Sequence, residues 1–136
     1  MNEQNKALRD RLERAEVRAS AQRLAIAQYV LSTKDHPSAE QVQAVVHRDF
    51  PMVSRATVYN TLKLFVRQGL LKELVLKEGS VVYDPNVEPH HHFVAEDGTI
   101  DDIPWSALTV DKVDHLQGIE VRDYMVVVRG TRKAKS

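Results

Sequence analysis

The chain has no cysteine. That excludes disulfides, thiolate-bound zinc, iron–sulfur clusters, and thiol catalysis or thiol redox sensing. It also removes cysteine content as a marker of compartment. Long apolar runs are missing too: none approaches the ~20 residues a helix needs to cross a bilayer. The opening stretch, MNEQNKALRD, lacks the apolar centre of a secretory signal. No membrane partner is expected, and the default location is cytoplasmic. Net charge is absent as well, since 19 Lys and Arg balance 19 Asp and Glu. The balance conceals an asymmetry. Residues 1–83 carry 13 basic side chains against 9 acidic ones, and residues 84–136 carry 6 against 10. A basic half joined to an acidic half predicts an anionic partner for the first, and a cation or a second copy for the other. With 136 residues, 43% of them hydrophobic, the chain is one domain or two small ones with material for a core.

What the chain does have is clustered histidine. The stretch Tyr83 to Phe93, YDPNVEPHHHF, sets Asp84 six positions before His90, His91 and His92. Pro85 and Pro89 fix their own φ and push the preceding residues out of the helical region, so the stretch is a bent, extended connector. It runs into Phe93-Val94, the start of a strand. Alternation along a strand points His90 and His92 one way and His91 the other. Two imidazoles on one face with a carboxylate near them form a donor set for a divalent first-row metal. The plainer alternative is a solvated histidine patch.

Upstream, the punctuation is that of helices. Residues 3–16 read as a short, mostly exposed helix with a thin stripe of Leu8, Leu12 and Val17. Its arginines are either a solvated face or a phosphate-contacting arm. Ser20 caps a helix from Ala21 to about Leu31, and Ser38 with Gln41 forms a capping box for a third. Ser54 caps a fourth, about 55–68, closed by Gly69. Val58, Leu62, Phe65 and Val66 repeat at helical spacing. The opposite face carries Arg55, Tyr59, Asn60, Lys63 and Arg67 and no acid. That is an ordinary surface helix, or one suited to phosphates and base edges in a major groove. Strand-like runs at Leu71–Leu76 and Val81–Tyr83, joined by Lys77-Glu78-Gly79-Ser80, make a hairpin. Helices followed by a two-stranded wing spell a winged helix-turn-helix whose fourth helix reads DNA.

Beyond the histidines, Phe93-Val94, Thr99–Ile103 and Val121–Val128 read as strands, with a helix at Leu108–Leu116. Val126-Val127-Val128 predicts a strand covered on both faces. The fold class is therefore α+β, a winged helix followed by a small α/β unit. The expected division is 1–83 for DNA binding, 84–90 as a hinge and 91–136 for dimerisation. A unit of about fifty residues is too small to be comfortable alone, so a homodimer is expected. The basic tail after Arg129 is expected to fray.

The segments HPSAEQV (36–42), SRATVYNTLKLF (54–65), YDPN (83–86) and HHHF (90–93) resemble the ferric-uptake-regulator family of metal-dependent bacterial repressors. The resemblance covers the whole chain. It implies a winged helix, a hinge and a dimerisation domain, with a regulatory metal between the domains. The matching ligand positions are His36, Asp84, His90, His92 and Asp102. The choice of Asp102 over Asp101 comes from the resemblance alone. His47 and His115 match no ligand position. DNA contacts fall to Arg55, Tyr59, Asn60 and Lys63, the metal is Fe²⁺ or Mn²⁺, and the partner is double-stranded operator DNA. Asp rather than Glu at positions 84 and 102, with Asn60 after Tyr59, is similar to the peroxide-responsive branch of the family. Two departures stand out. Ala95-Glu96-Asp97-Gly98 replaces one of the family's cysteine pairs and the second pair has no counterpart, so no structural Zn²⁺ is expected. A further family site maps to Pro89, His91, Thr109 and Tyr124, of which only His91 is a ligand type.

The resemblance implies a repressor in which metal fixes the angle between domains and so the spacing of two recognition helices. It also implies that peroxide, acting on bound iron, oxidises His36 or His90 and releases metal and DNA. The nearest alternative is an iron- or manganese-responsive repressor without peroxide sensing. A non-haem iron enzyme uses similar ligands, but no general base or cosubstrate motif is visible, and no enzyme is expected. A winged helix that works without metal is the third reading.

Overall fold

The computed structural model describes residues 2–77 and 79–134. They fall into two compact units, one ending at Val87 and one beginning at Glu88.

The first unit holds four helices, α1 (Glu3–Arg14), α2 (Ala21–Val30), α3 (Ala39–Asp49) and α4 (Arg55–Arg67), and a hairpin of β1 (Lys72–Lys77) and β2 (Ser80–Asp84). Every helix begins on a side-chain cap. Asn2, Ser20, Ser38 and Ser54 accept from the backbone N–H of Asn5, Arg23, Gln41 and Thr57. Each cap satisfies a donor that the first turn cannot. At α3 the expected capping box is complete, with the Gln41 side chain accepting from the Ser38 N–H at 2.8 Å. Helix α4 ends on Gly69 at φ +78°. The Leu70 N–H donates to Phe65 O at 2.9 Å and the Gly69 N–H to Val66 O at 3.1 Å. That paired pattern closes the helix and lays Leu70 against its last turn.

One apolar cluster joins all four helices to the wing. Val30, Val42, Val58, Leu62 and Phe65 are fully buried in it, and Tyr83 of β2 belongs to the same cluster. Helix α1 is the mostly exposed element its composition predicts, anchored by Leu12, with Val17 just beyond its end; these are 0% and 2% exposed. Leu8, the third member of the stripe, is partly buried against the same cluster. In β1, Leu74 and Leu76 face inward while Val75 faces solvent, the period-2 pattern of a half-covered strand.

The second unit is a three-stranded sheet of β3 (His90–Ala95), β4 (Ile100–Pro104) and β5 (Val127–Gly130), in the order β4-β3-β5. Strands β3 and β4 are antiparallel, with His92 opposite Asp102 and Phe93 opposite Asp101. Strand β5 runs parallel to β3, with His92 opposite Val127. The β3–β4 turn, formed by Ala95-Glu96-Asp97-Gly98, holds itself. Gly98, at φ +89°, donates to Ala95 O, and Ala95 donates to Thr99 O, both at 2.9 Å.

Two expectations for this unit fail. The helix at 108–116 is absent; there are only short 3₁₀ turns at Trp105–Ala107 and Val113–His115. Lys112 takes a left-handed φ of +62° in the middle of the expected helix, and the β-branched Thr109, Val110 and Val113 favour helix weakly. The last strand spans Val127–Gly130 rather than 121–128. Its pairing with β3 begins opposite His92 and ends opposite Ala95; Val126, just before it, donates its N–H to the His91 ring rather than to the strand. Nor is the valine run covered on both faces, since Val128 is 38% exposed.

Candidate functional site

Two groups of side chains stand out in the first unit. On α4, Arg55, Asn60 and Lys63 are exposed and Tyr59 is half-buried. Arg55 donates to the Tyr59 hydroxyl at 3.2 Å, with its guanidinium 5.1 Å from the ring centroid. It also lies 3.8 Å from Glu40, in a pair too exposed to contribute much. All four residues named for DNA contact thus lie on one helix whose other side, Val58, Leu62 and Phe65, is buried.

The second group is His36 with Asp84. Both are buried, and His36 Nε2 stands 3.2 Å from Asp84 Oδ2. They come from separate parts of the unit, His36 from the loop before α3 and Asp84 from the last residue of β2. The Tyr83 N–H bonds the Pro37 carbonyl at 2.9 Å and holds the loop to the strand. His36 has φ +51°, a conformation that a non-glycine side chain takes only where its surroundings impose it. Asp84 Oδ1 accepts from the Asn86 N–H at 2.9 Å, which orients the carboxylate. Burial raises the pKa of the neighbouring Tyr83 phenol, and Glu73, its cross-strand partner, adds to the effect.

In the second unit, His90 Nε2 and His92 Nε2 lie 3.3 and 3.5 Å from Asp102 Oδ1. His90 Nδ1 is 2.7 Å from the Glu88 carbonyl oxygen. A carbonyl only accepts, so Nδ1 carries a proton, and in the neutral ring Nε2 keeps its lone pair. This is how a metal-ligating histidine is oriented, with one nitrogen bonded to the protein and the other offered to the ion. Two ring nitrogens and a carboxylate in this unit, and a ring nitrogen and a carboxylate in the first, all without sulfur, are donor types that suit Mn²⁺ or Fe²⁺.

His91 behaves differently, as strand alternation requires. Its ring is fully buried, stacked on Trp105 with centroids 4.6 Å apart. Its Nδ1 accepts from the Val126 N–H at 2.9 Å, so that lone pair is already engaged. His47 and His115 are exposed. Asp101, which composition could not separate from Asp102, is taken by Arg132, with Nη2 at 2.8 Å. The Asp97 carboxyl is held below its ordinary pKa by the Thr99 hydroxyl and N–H, which donate to it.

Comparison with known proteins gives the family. The model of the ferric uptake regulator family matches residues 14–128. The chain belongs to the ferric uptake regulator family. The peroxide-responsive repressor of Staphylococcus aureus strain USA300 is 33% identical over 125 residues, covering 90% of this chain and 84% of the relative. The Campylobacter jejuni peroxide stress regulator superposes with a TM-score of 0.65 at 26% identity, over all of both chains. The ferric uptake regulator of Pseudomonas aeruginosa, solved with manganese, has a TM-score of 0.67 at 24% identity, covering 93% of this chain and 98% of that one.

This member of the ferric uptake regulator family carries no cysteine. The family is one of transcriptional regulators, and the enzyme reading is set aside. No helix among the described residues is long and apolar enough to cross a membrane. Sequence reasoning missed Glu88, Trp105 and Arg132. Glu88 acts through its backbone carbonyl, which carries no side-chain signal. Arg132 sits in a tail dismissed as frayed, and Trp105, the only tryptophan, pairs with a histidine fourteen residues away.

Proposed function

We propose that this protein is a metal-dependent transcriptional repressor that binds operator DNA as a homodimer and responds to peroxide. Residues 1–83 are the DNA-binding domain, 84–90 the hinge and 91–136 the dimerisation domain. In this reading one divalent cation takes His36 and Asp84 from the first unit and His90, His92 and Asp102 from the second. The observation that carries it is the pair of ring nitrogens turned onto Asp102, with His90 Nδ1 already bonded to a carbonyl. Asp84 and His36 supply the matching half on the other side of the hinge.

Ligands drawn from both units make the cation a tie. A dimer with its ties made presents its two α4 helices at fixed separation, which must match half-sites about one helical turn apart. The chain's own part is to bind, to orient and to bury. Asn86 and Glu88 set the ligand orientations, and α4 brings Arg55, Tyr59, Asn60 and Lys63 to the groove. Fe²⁺ held by these residues would supply the electron that cleaves the peroxide O–O bond. His36 and His90 are the rings expected to take up an oxygen atom, after which they donate poorly and repression is lost. Support for the peroxide response comes from Asp84 and Asp102 in the carboxylate positions and from the identity to the Staphylococcus aureus repressor.

The test is a DNA-binding titration with Mn²⁺, with Fe²⁺ and with chelator, repeated after peroxide. Expected is a metal-dependent gain of roughly a hundredfold, a coupling of ~3 kcal/mol. Peroxide should abolish it in the Fe²⁺ form only, with added oxygen on the His36 or His90 peptide. Metal dependence without oxidation leaves the iron- or manganese-responsive reading. DNA binding indifferent to chelator removes both.

A further inference from the structure

Strand β5 is fastened at both ends. At its start the Val126 N–H donates to Nδ1 of the buried His91. Just past its end, Arg132 reaches β4: Nε donates to Asp101 Oδ2 at 2.9 Å, and Nη1 donates to Thr99 Oγ1 at 2.9 Å. Nη2 lies 2.8 Å from the same Asp101 oxygen, and the Thr99 hydroxyl donates to Asp97 Oδ1 at 2.6 Å. The guanidinium lies over the Phe93 ring of β3, 5.4 Å from its centroid. One side chain therefore spans all three strands of the sheet.

The register gives this span a consequence. Phe93 pairs with Asp101, and His92 with Asp102. By alternation His91, Phe93 and Asp101 share one face, while His90, His92 and Asp102 share the other. A slip of β4 by one residue would exchange the two aspartates between faces. A lone exposed ion pair does little to prevent that. Here the guanidinium bonds a carboxylate and a hydroxyl at once and rests on an aromatic face, a geometry that lysine cannot reproduce.

We propose that Arg132 is a positioning residue for the metal ligands: by holding Asp101 on the far face it locks the β4 register that turns Asp102, and Asp102 alone, to His90 and His92. The inference rests on reading those three residues as metal ligands. It makes the segment after β5 part of the regulatory site without touching the ion.

The experiment compares the full-length chain with Arg132→Gln, Asp101→Asn and the double variant. Three readouts are taken: Mn²⁺ affinity, the visible spectrum of the Co²⁺-loaded protein, and amide exchange of Val127 to Gly130 in the metal-free protein. Expected is about a tenfold loss of Mn²⁺ affinity in each single variant, with the double variant no worse than either. The Co²⁺ bands should shift, and β5 amides should exchange faster before any metal is added. The charge-reversed pair Asp101→Arg with Arg132→Asp should recover part of the affinity. Unchanged affinity and Co²⁺ bands, with only a lower melting temperature, would make Arg132 a stabiliser and overturn the proposal. Failure of the unmodified chain to bind Mn²⁺ would overturn the ligand reading itself, a result the variants cannot mimic.

Discussion

The backbone N–H of Tyr83 donates to the carbonyl of Pro37 across 2.9 Å, and this bond sets His36, one residue before Pro37, against Asp84, one residue after Tyr83. A loop and a strand end distant in sequence are joined by main chain, so their side chains meet.

Asp84→Asn keeps the shape of the carboxylate and removes its charge. Mn²⁺ affinity should fall by about a hundredfold or more, beyond the range of outer-shell changes. The DNA affinity ratio between Mn²⁺ and chelator should collapse toward unity. Calorimetric titration and fluorescence anisotropy measure the two.

Gly69→Ala isolates a backbone effect. A Cβ at Gly69 would meet nothing within 4 Å, but φ is +78°. The cost is therefore conformational, ~1–2 kcal/mol, seen as a lower urea midpoint with an unchanged slope.

Lys63→Ala should weaken DNA binding about equally for all sequences and reduce the salt slope by about one ion. Arg55→Ala should cost ~1–3 kcal/mol and relax preference at one base position. If both variants bind as tightly as the parent at every salt concentration, α4 is not the reading helix.

Tyr83 has a raised phenol pKa, caused first by burial and then by Glu73. A group with a raised folded-state pKa stabilises below its unfolded pKa, about 10 for Tyr, and that contribution is lost as pH rises through the folded value. Melting temperature should therefore fall above about pH 10, and Tyr83→Phe should flatten the decline. Melts of both proteins from pH 8 to 11 decide it.

The first unit was largely legible because each signal was local. Ser20, Ser38, Ser54 and Gly69 mark helix ends through their own side chains or the lack of one, and Val58, Leu62 and Phe65 give the buried face by spacing. His90 and His92 were separable from His91 by strand alternation alone. The second unit was harder to read because its order is set by pairing. Where β5 begins depends on which residues β3 has free, and a helix at 108–116 would need a surface to pack against. Asp101 and Asp102 look alike in sequence; Arg132, thirty residues on, distinguishes them.

Among the described residues, nothing from Pro104 to Arg129 is buried. A segment that excludes so little water draws few kilocalories from its own fold, and a second copy that covered it would add to its order by mass action. On the proposed dimerisation, dilution should loosen His90, His92 and Asp102 along with the subunit contact. Apparent metal affinity would then climb with protein concentration, and the cell could set the sensitivity of the repressor by how much of it is made.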